Sequence, residues 1–463
     1  MIAPGKEIMV TKLWAQRALL PDGWAEDVAV TLGGDGRITA VDANAAPEGE
    51  RVELLLPSVA NLHSHAFQRA MAGLSEAKGS EPKDTFWTWR QIMYRFLDVL
   101  TPEDVEAIAA LVQMEMLEAG YATNVEFHYL HHQPDGTHYA NLGEMSERIA
   151  AAASRTGIGL TLLPVHYQFG GIDGRALGSG QRRFGTTPDE FLRLADSAEA
   201  ALRHLPADAG LGIAPHSLRA VSKEGLRMTA AMRPGRPMHM HLAEQIPEVE
   251  EIRAGYGLRP VEWVLENCPV DDRWTFIHLT HMTDDETTRL AQTGAVAGLC
   301  PITESSLGDG IFNGTVWKDA GGRMGFGSDS NIRISLTEEM RTMEYSQRLR
   351  DTARAIMAEP KRSTGRVLYE VALAGGASAA GRDSGAIRAG NWGDLVAVSL
   401  TNPVMAGRQA DTMLDSLIFA GSDALVRDVW SAGRHVVKNG QHREHDAIIA
   451  DYLATISRLQ ERM

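Results

Sequence analysis

Short apolar segments that end in polar residues, each followed by a helical pattern, recur eight times between residues 58 and 384. Strands alternating with helices indicate βα units on a parallel sheet. The two ends look different, with short strand-like stretches punctuated by glycines. Together these observations predict an α/β protein, a (β/α)8 barrel of TIM type with a small β-sandwich domain built from both chain ends. A doubly wound open sheet is the alternative, but no phosphate-binding glycine fingerprint follows the first strand.

The eight strands are expected at Val59–His65, Thr123–Tyr129, Gly159–His166, Leu211–His216, Met238–Leu242, Thr275–His278, Ala295–Cys300 and Met324–Asp329. Helix starts lie between them. Thr101-Pro102-Glu103-Asp104 offers an N-cap, a proline at the first helical position and acids in the first turn, and Gly120 is placed to end that helix. Thr187-Pro188-Asp189-Glu190 repeats the pattern, and Thr283-Asp284-Asp285-Glu286 opens another helix. Ala374-Gly375-Gly376-Ala377 reads as a helix terminus or turn. Outside the barrel, Asp27–Leu32, Gly36–Val41, Glu53–Leu56, Gly393–Val398, Val426–Trp430 and His435–Gly440 read as antiparallel strands. The expected division is therefore 1–57 plus 385–443 for the sandwich, 58–384 for the barrel, and a C-terminal helix over 444–463.

Composition narrows the function. The chain has 463 residues, 44% hydrophobic and 23% charged, ordinary for a globular protein of this size. A net charge of −15 argues against non-specific nucleic acid binding and against an anionic membrane surface. An anionic substrate then needs locally placed cations. The start, Met1 to Glu7, shows no basic segment leading into an apolar core, so no leader is expected, and no apolar run is long enough to span a bilayer. Two cysteines, Cys268 and Cys300, imply no disulfide framework and suit a reducing cytoplasm.

Metal-ligand residue types collect at the strand ends. Strand one ends Asn61-Leu62-His63-Ser64-His65, strand five His239-Met240-His241-Leu242-Ala243-Glu244, strand six His278-Leu279-Thr280-His281, and strand eight Ser328-Asp329-Ser330-Asn331. Alternate strand residues share a face, so His63 and His65 can reach one ion. Singly, each residue has a plainer explanation: a surface pair, a core or helix-facing histidine at His239, a loop residue at His281, an N-cap at Asp329. In a barrel, however, these ends converge on one mouth. Three histidines and an aspartate there suit a divalent transition metal, zinc above all, with iron, manganese or nickel also compatible.

The succession His-x-His, His-x-x-Glu, His and Asp resembles the deaminase branch of the amidohydrolase superfamily. The stretches Asn61 to Gly73, Phe86 to Arg90 and Glu126 to His132 are similar to the formimidoylglutamate deiminases within it. The resemblance implies His63, His65, His241 and Asp329 as ligands of one divalent metal per chain. It also implies a hydrolysis of N-formimidoyl-L-glutamate to N-formyl-L-glutamate and ammonia, in histidine degradation. In that reaction Glu244 protonates the imine nitrogen, His278 stabilises the tetrahedral intermediate, and Asp329 accepts a proton from water acidified at the metal. His278 lies nearer the strand end than His281, but spacing does not decide between them. For a glutamyl substrate the resemblance points to Arg90 and Arg219 as carboxylate partners, with Gln68, Tyr129 and His216 as further contacts. Arg90 is expected in a loop over the mouth, and Trp87 and Trp89 as packing for that loop. There is no lysine between Lys83 and Lys223, which removes a bridging lysine on strand four and favours a single metal; a glutamate or cysteine bridge is less firmly excluded.

Two rivals remain. A related aminohydrolase acting on a nucleobase, nucleoside or triazine shares the metal site but calls for aromatic walls rather than paired arginines. A silent barrel used as a scaffold should lose ligands that are all present here. The expected partner is a small dicarboxylate, without nucleic acid or membrane, in a chain able to form a homodimer.

Overall fold

The computed structural model describes residues 11–76 and 86–463; Met1 to Glu7, Lys83 and the side chain of Trp87 lie outside the described residues. The strands of the middle region run Val59–Ser64, Tyr121–His128, Gly159–His166, the short pair Gly210–Leu211 and Ala214–Pro215, Met238–Leu242, Trp274–His278, Val296–Leu299 and Arg323–Phe326. They pair in parallel as two groups, the first four positions in one and the last four in the other. Single parallel bridges link the groups on both sides, Ile213 with Met238 and Ser64 with Asp329. At the second seam His65 N–H donates to Asp329 O at 2.9 Å and Asp329 N–H to His63 O at 3.0 Å.

The fourth strand is broken where a continuous Leu211–His216 was expected. Gly212 N–H donates to Leu162 O, whereas Ile213 N–H donates to Pro237 O, so the chain changes partners between these residues. A Cβ on Gly212 would lie 2.3 Å from Leu163 and 2.8 Å from the Pro237 carbonyl, and only glycine permits that crossing.

The helix signals act as expected. Thr101, Thr187 and Thr283 each accept from the backbone N–H three residues on, and Asp104, Glu190 and Glu286 reciprocate. Gly120 follows the first of these helices with φ +98°. The run Ala374–Ala377 differs from expectation: it lies inside the helix Thr364–Ala380. The reason is close packing. A Cβ on Gly375 would meet Met324 O at 1.9 Å, and one on Gly376 would meet Ala60 O at 3.0 Å. Glycines cost a helix about 1 kcal/mol each, but here they let its backbone rest on strands one and eight.

The chain ends form one continuous sheet rather than two separately bonded sheets. Its order is Gln441–His442, Arg434–Lys438, Val426–Ser431, Leu395–Val398, Glu50–Pro57, Thr11–Leu20, Gly23–Leu32 and Ile38–Asp42. Thr11–Leu20 was not anticipated: Leu, Ala, Gln and Arg favour helix, and pairing on both sides decides the outcome. Its pairing with Glu50–Pro57 is parallel, against the antiparallel expectation. The sheet curls until Gly393 N–H donates to Gly36 O at 2.8 Å. The inner face buries Leu13, Val28, Val30, Leu55, Leu395 and Trp430. Alternate residues Leu54, Leu56, Val396 and Val398 face the other way and join the main core.

A buried ionic cluster joins this sheet to the parallel-stranded unit. Arg382, just past the glycine-bearing helix, donates to Asp394 Oδ2 at 2.7 Å and Asp208 Oδ2 at 2.9 Å, and Arg434 reaches Asp208 Oδ1 at 2.7 Å. The last helix, His445–Arg462, returns to the helix Pro102–Glu118: His445 meets Glu118 at 2.8 Å and Arg462 meets Asp104 at 2.9 Å. Among the described residues no helix is long and apolar enough to cross a membrane.

Candidate active site and metal centre

The seam between strands one and eight builds the centre. Asn61 Oδ1 accepts from Ser328 N–H at 3.0 Å, and Asn331 Nδ2 donates to Ser64 Oγ and His65 O at 3.2 Å each. Glu126, from strand two, accepts from Ala66 N–H at 2.7 Å. These bonds fix the turns after both strands. Asp329 itself sits at φ +45°, in the left-handed region that aspartate tolerates better than most residues other than glycine.

His63, His65, His241 and Asp329 are all buried, with their ligand atoms within 4.8 Å of one another. His63 Nε2 lies 3.2 Å from both His65 Nε2 and His241 Nε2. Asp329 Oδ1 is 3.4 Å from His63 Nε2 and 3.2 Å from His65 Nε2. His65 Nδ1 donates to Phe127 O and His241 Nδ1 to His216 O, which leaves their Nε2 lone pairs turned inward. Burial holds His63 down at about 3 and lowers His65 and His241. Neutral rings therefore aim lone pairs at one another and at a carboxylate. One proton would serve a single pair, whereas a cation at the centre satisfies all four. Bonds of about 2.0 Å in tetrahedral array separate ligand atoms by about 3.3 Å, which matches the observed spacing. The four residues fit a divalent metal.

Beside this cluster, His278 Nε2 lies 4.0 Å from Glu244 Oε1 and 4.0 Å from Asp329 Oδ2. Burial pushes the Glu244 carboxyl up to about 7. Burial works against charge on His278, but Glu244, the Glu304 hydrogen bond and Asp329 outweigh it and lift the ring to about 10. The geometry separates the two histidines that spacing left open. His281 turns Nε2 to Asp309 O at 2.7 Å, away from this group. His239 faces a helix, as its plainer explanation held, with Nε2 2.8 Å from Ala379 O.

The remaining anticipated residues line one cavity with these groups: Gln68, Arg90, Tyr129, His216 and Arg219, together with Glu244, His278 and Asp329. Arg90 lies on the helix Phe86–Leu97, not in a loop, and donates to Tyr167 OH at 3.0 Å. That helix carries an aromatic and arginine pattern that the flanking residues 77–85 obscured in the sequence. Trp89 packs against the core and also lines the cavity, so it is more than packing. Gln68 Nε2 donates to Tyr129 OH at 2.8 Å, while Gln68 Oε1 is buried with no hydrogen-bond partner among the described residues. Burial and the neighbouring Arg219 and Arg90 hold His216 neutral. Sequence reasoning missed Tyr167, Phe184 and Glu304. Glu304 was accessible by the strand-end rule, four residues past Cys300, where the chain leaves strand seven.

Residues 54–436 match the Amidohydrolase family, and residues 10–52 match "Formimidoylglutamate deiminase HutF, N-terminal domain". The chain is 46% identical to the formimidoylglutamate deiminase of Pseudomonas aeruginosa, over 94% of this chain and 96% of that protein. It is 26% identical to a 5-methylthioadenosine/S-adenosylhomocysteine deaminase of Bacillus cereus, over 85% of this chain and 83% of that one. The crystal structure of an amidohydrolase from Brucella melitensis superposes with a TM-score of 0.93 at 45% identity, covering 97% of this chain and 100% of that one. An adenosine deaminase from Xanthomonas campestris with bound zinc shares the fold at a TM-score of 0.81 and 22% identity, covering 97% and 98%. With its ligand cluster gathered from the ends of strands one, five and eight and a family match spanning most of its length, the chain belongs to the amidohydrolase family.

Proposed function

We propose that this protein hydrolyses N-formimidoyl-L-glutamate to N-formyl-L-glutamate and ammonia, a step of histidine degradation. The observation that carries the reading is a single cavity lined by three of the four clustered ligands, His65, His241 and Asp329, and by two arginines, Arg90 and Arg219. A substrate with two carboxylates and one hydrolysable amidine matches that layout. The similarity to the Pseudomonas aeruginosa formimidoylglutamate deiminase supports it.

His63, His65, His241 and Asp329 would hold the metal, one Zn2+ or Fe2+ per chain. When bound, such an ion supplies the Lewis acidity that brings the pKa of a ligated water near neutrality. The rest falls to side chains. Arg90 and Arg219 hold the glutamyl carboxylates, with Gln68, Tyr129 and His216 beside them, and thereby orient the formimidoyl carbon. Asp329 accepts the proton of the attacking water. Glu244, protonated near neutrality, gives its proton to the imine nitrogen. His278, drawn toward its charged form by Glu304 and Asp329, stabilises the tetrahedral carbon's oxygen. Asp329 then passes the water proton to the same nitrogen while the hydroxyl proton returns to Glu244, and collapse to the formyl carbonyl breaks the carbon–nitrogen bond and releases ammonia.

The same reading takes residues 58–384 as a closed (β/α)8 barrel, 1–57 with 385–443 as one β domain, and 444–463 as a C-terminal helix. It takes the chain as a cytoplasmic enzyme, able to form a homodimer, with no nucleic acid or membrane partner.

The test is ammonia release from N-formimidoyl-L-glutamate against adenosine, guanine and cytosine, with bound metal quantified in the same preparation. Turnover of the first with about one metal per chain, lost on chelation and restored by zinc, is expected. Full occupancy with turnover only of a heterocycle overturns the substrate reading; Trp89, Tyr129 and Phe184 on the cavity wall make that panel necessary. Arg219→Met is expected to raise KM for N-formimidoyl-L-glutamate about 10- to 100-fold, the equivalent of one charge-assisted hydrogen bond of roughly 1.5–3 kcal/mol. An unchanged KM removes Arg219 from carboxylate binding.

A further inference from the structure

His278 is clamped differently from two of the histidines of the metal cluster. His65 and His241 turn Nδ1 toward main-chain carbonyls, which are neutral acceptors. His278 turns Nδ1 toward a carboxylate, Glu304 Oε1, at 3.2 Å. Glu304 stands on the short helix Pro301–Leu307 that follows strand seven and is 5% exposed. The same Oε1 accepts from Cys300 N–H at 2.8 Å, so the carboxylate is pinned to the start of its own helix before it meets the ring. Glu304 is not among the residues that line the cavity. Among the described residues, the cavity-lining group it hydrogen-bonds is His278.

The backbone at His278 needs such support. His278 and Leu279 have φ +74° and +55°, two successive non-glycine residues in the left-handed region at the end of strand six. Conformations of this kind persist where surrounding contacts over-determine them. The ring is also constrained from the side, lying 5.7 Å from the His241 ring and 16° from parallel with it. With Nδ1 engaged, Nε2 is the nitrogen left to face Glu244 and Asp329, 4.0 Å from each.

We propose that Glu304 is a positioning residue for the reaction: it holds His278 with Nδ1–H directed at the carboxylate and Nε2 presented to the cavity. The proposal rests on the hydrolytic reading above. A carboxylate behind a histidine fixes the tautomer and ring orientation and stabilises the charged ring, as in the carboxylate–histidine pair of hydrolytic triads. Without it the ring is free to rotate or to exchange tautomers, and the nitrogen facing the substrate is no longer set.

Glu304→Gln, nearly isosteric, is expected to lower kcat about 10- to 100-fold, the usual effect of losing a partner that orients a site histidine. KM, metal content and thermal midpoint should change little. In a His278→Asn background the same substitution is expected to cost nothing further. An equal loss in both backgrounds, or full kcat in Glu304→Gln, overturns the proposal, because a structural role acts with or without the imidazole. Glu304→Asp serves for the same comparisons if Glu304→Gln does not fold. A second readout needs no turnover. The metal-loaded wild type should show a downfield imidazole N–H proton resonance that is absent from His278→Asn and moves upfield in Glu304→Gln. A resonance unmoved by Glu304→Gln overturns the clamp. One that moves supports it even if N-formimidoyl-L-glutamate is not the substrate, so failure of the clamp and failure of the substrate reading are told apart.

Discussion

Glu244→Gln is expected to keep the metal and lose kcat by about 10²- to 10⁴-fold, the range that a positioned acid or base contributes. Glu244 is not one of the four clustered ligands, so metal content should match wild type. It is set by a tight turn: Ala243 sits at φ +54°, and Ala243 and Glu244 N–H donate to the two oxygens of Glu248. Glutamine keeps the shape and removes the proton. Because burial raises the carboxyl to about 7, wild type keeps a share of protonated Glu244 at neutral pH that an exposed glutamate lacks. Steady-state kinetics with metal analysis on the same sample decide the matter: normal kcat at full occupancy removes Glu244 from the mechanism.

The second large effect is on stability. Asp394→Ala is expected to destabilise the metal-loaded protein by about 3–5 kcal/mol, the cost of breaking a buried ion pair from one side. Arg382 and Asp394 side chains are each 2% exposed and Asp208 is 3% exposed, so water does not replace a lost partner. The substitution leaves the Arg382 fork half paired and deprives Ala432 N–H of its acceptor, Asp394 Oδ1 at 2.7 Å. Asp394→Asn, which still accepts, should cost less. The urea midpoint is the measurement. A loss below about 1 kcal/mol, the scale of an exposed pair, would mean that the cluster does not hold the sheet to the parallel-stranded unit. None of these residues lines the cavity, so KM should be unaffected.

What the sequence made legible follows from periodicity and caps. Gly159–His166 and Met238–Leu242 fall where they were expected, because buried parallel strands are continuous apolar runs. The residues that build the centre were legible for a related reason: chemistry at strand ends interrupts those runs with histidine and aspartate. Long-range packing was not legible. Gly375 and Gly376 look like a helix stop until strands one and eight are in place beneath them. Thr11–Leu20 looks like a helix until its two neighbours, one of them Glu50–Pro57, are present. Arg90 was assigned to a loop because its helix begins beside a stretch of charged and small residues. Glu304 stands just past a strand end, but its role was not legible, since its partner His278 is 26 residues away.

The pairing of Glu50–Pro57 with Leu395–Val398 has a consequence for synthesis. The ribosome delivers the first of these strands roughly 340 residues before the second, an interval of roughly 20–70 s at typical elongation rates. Throughout that time one edge of Glu50–Pro57 has no native neighbour, and its Leu-Leu-Leu run is an adhesive surface for other nascent chains. The sheet is therefore begun first and finished only when the C-terminal strands emerge to cover that edge.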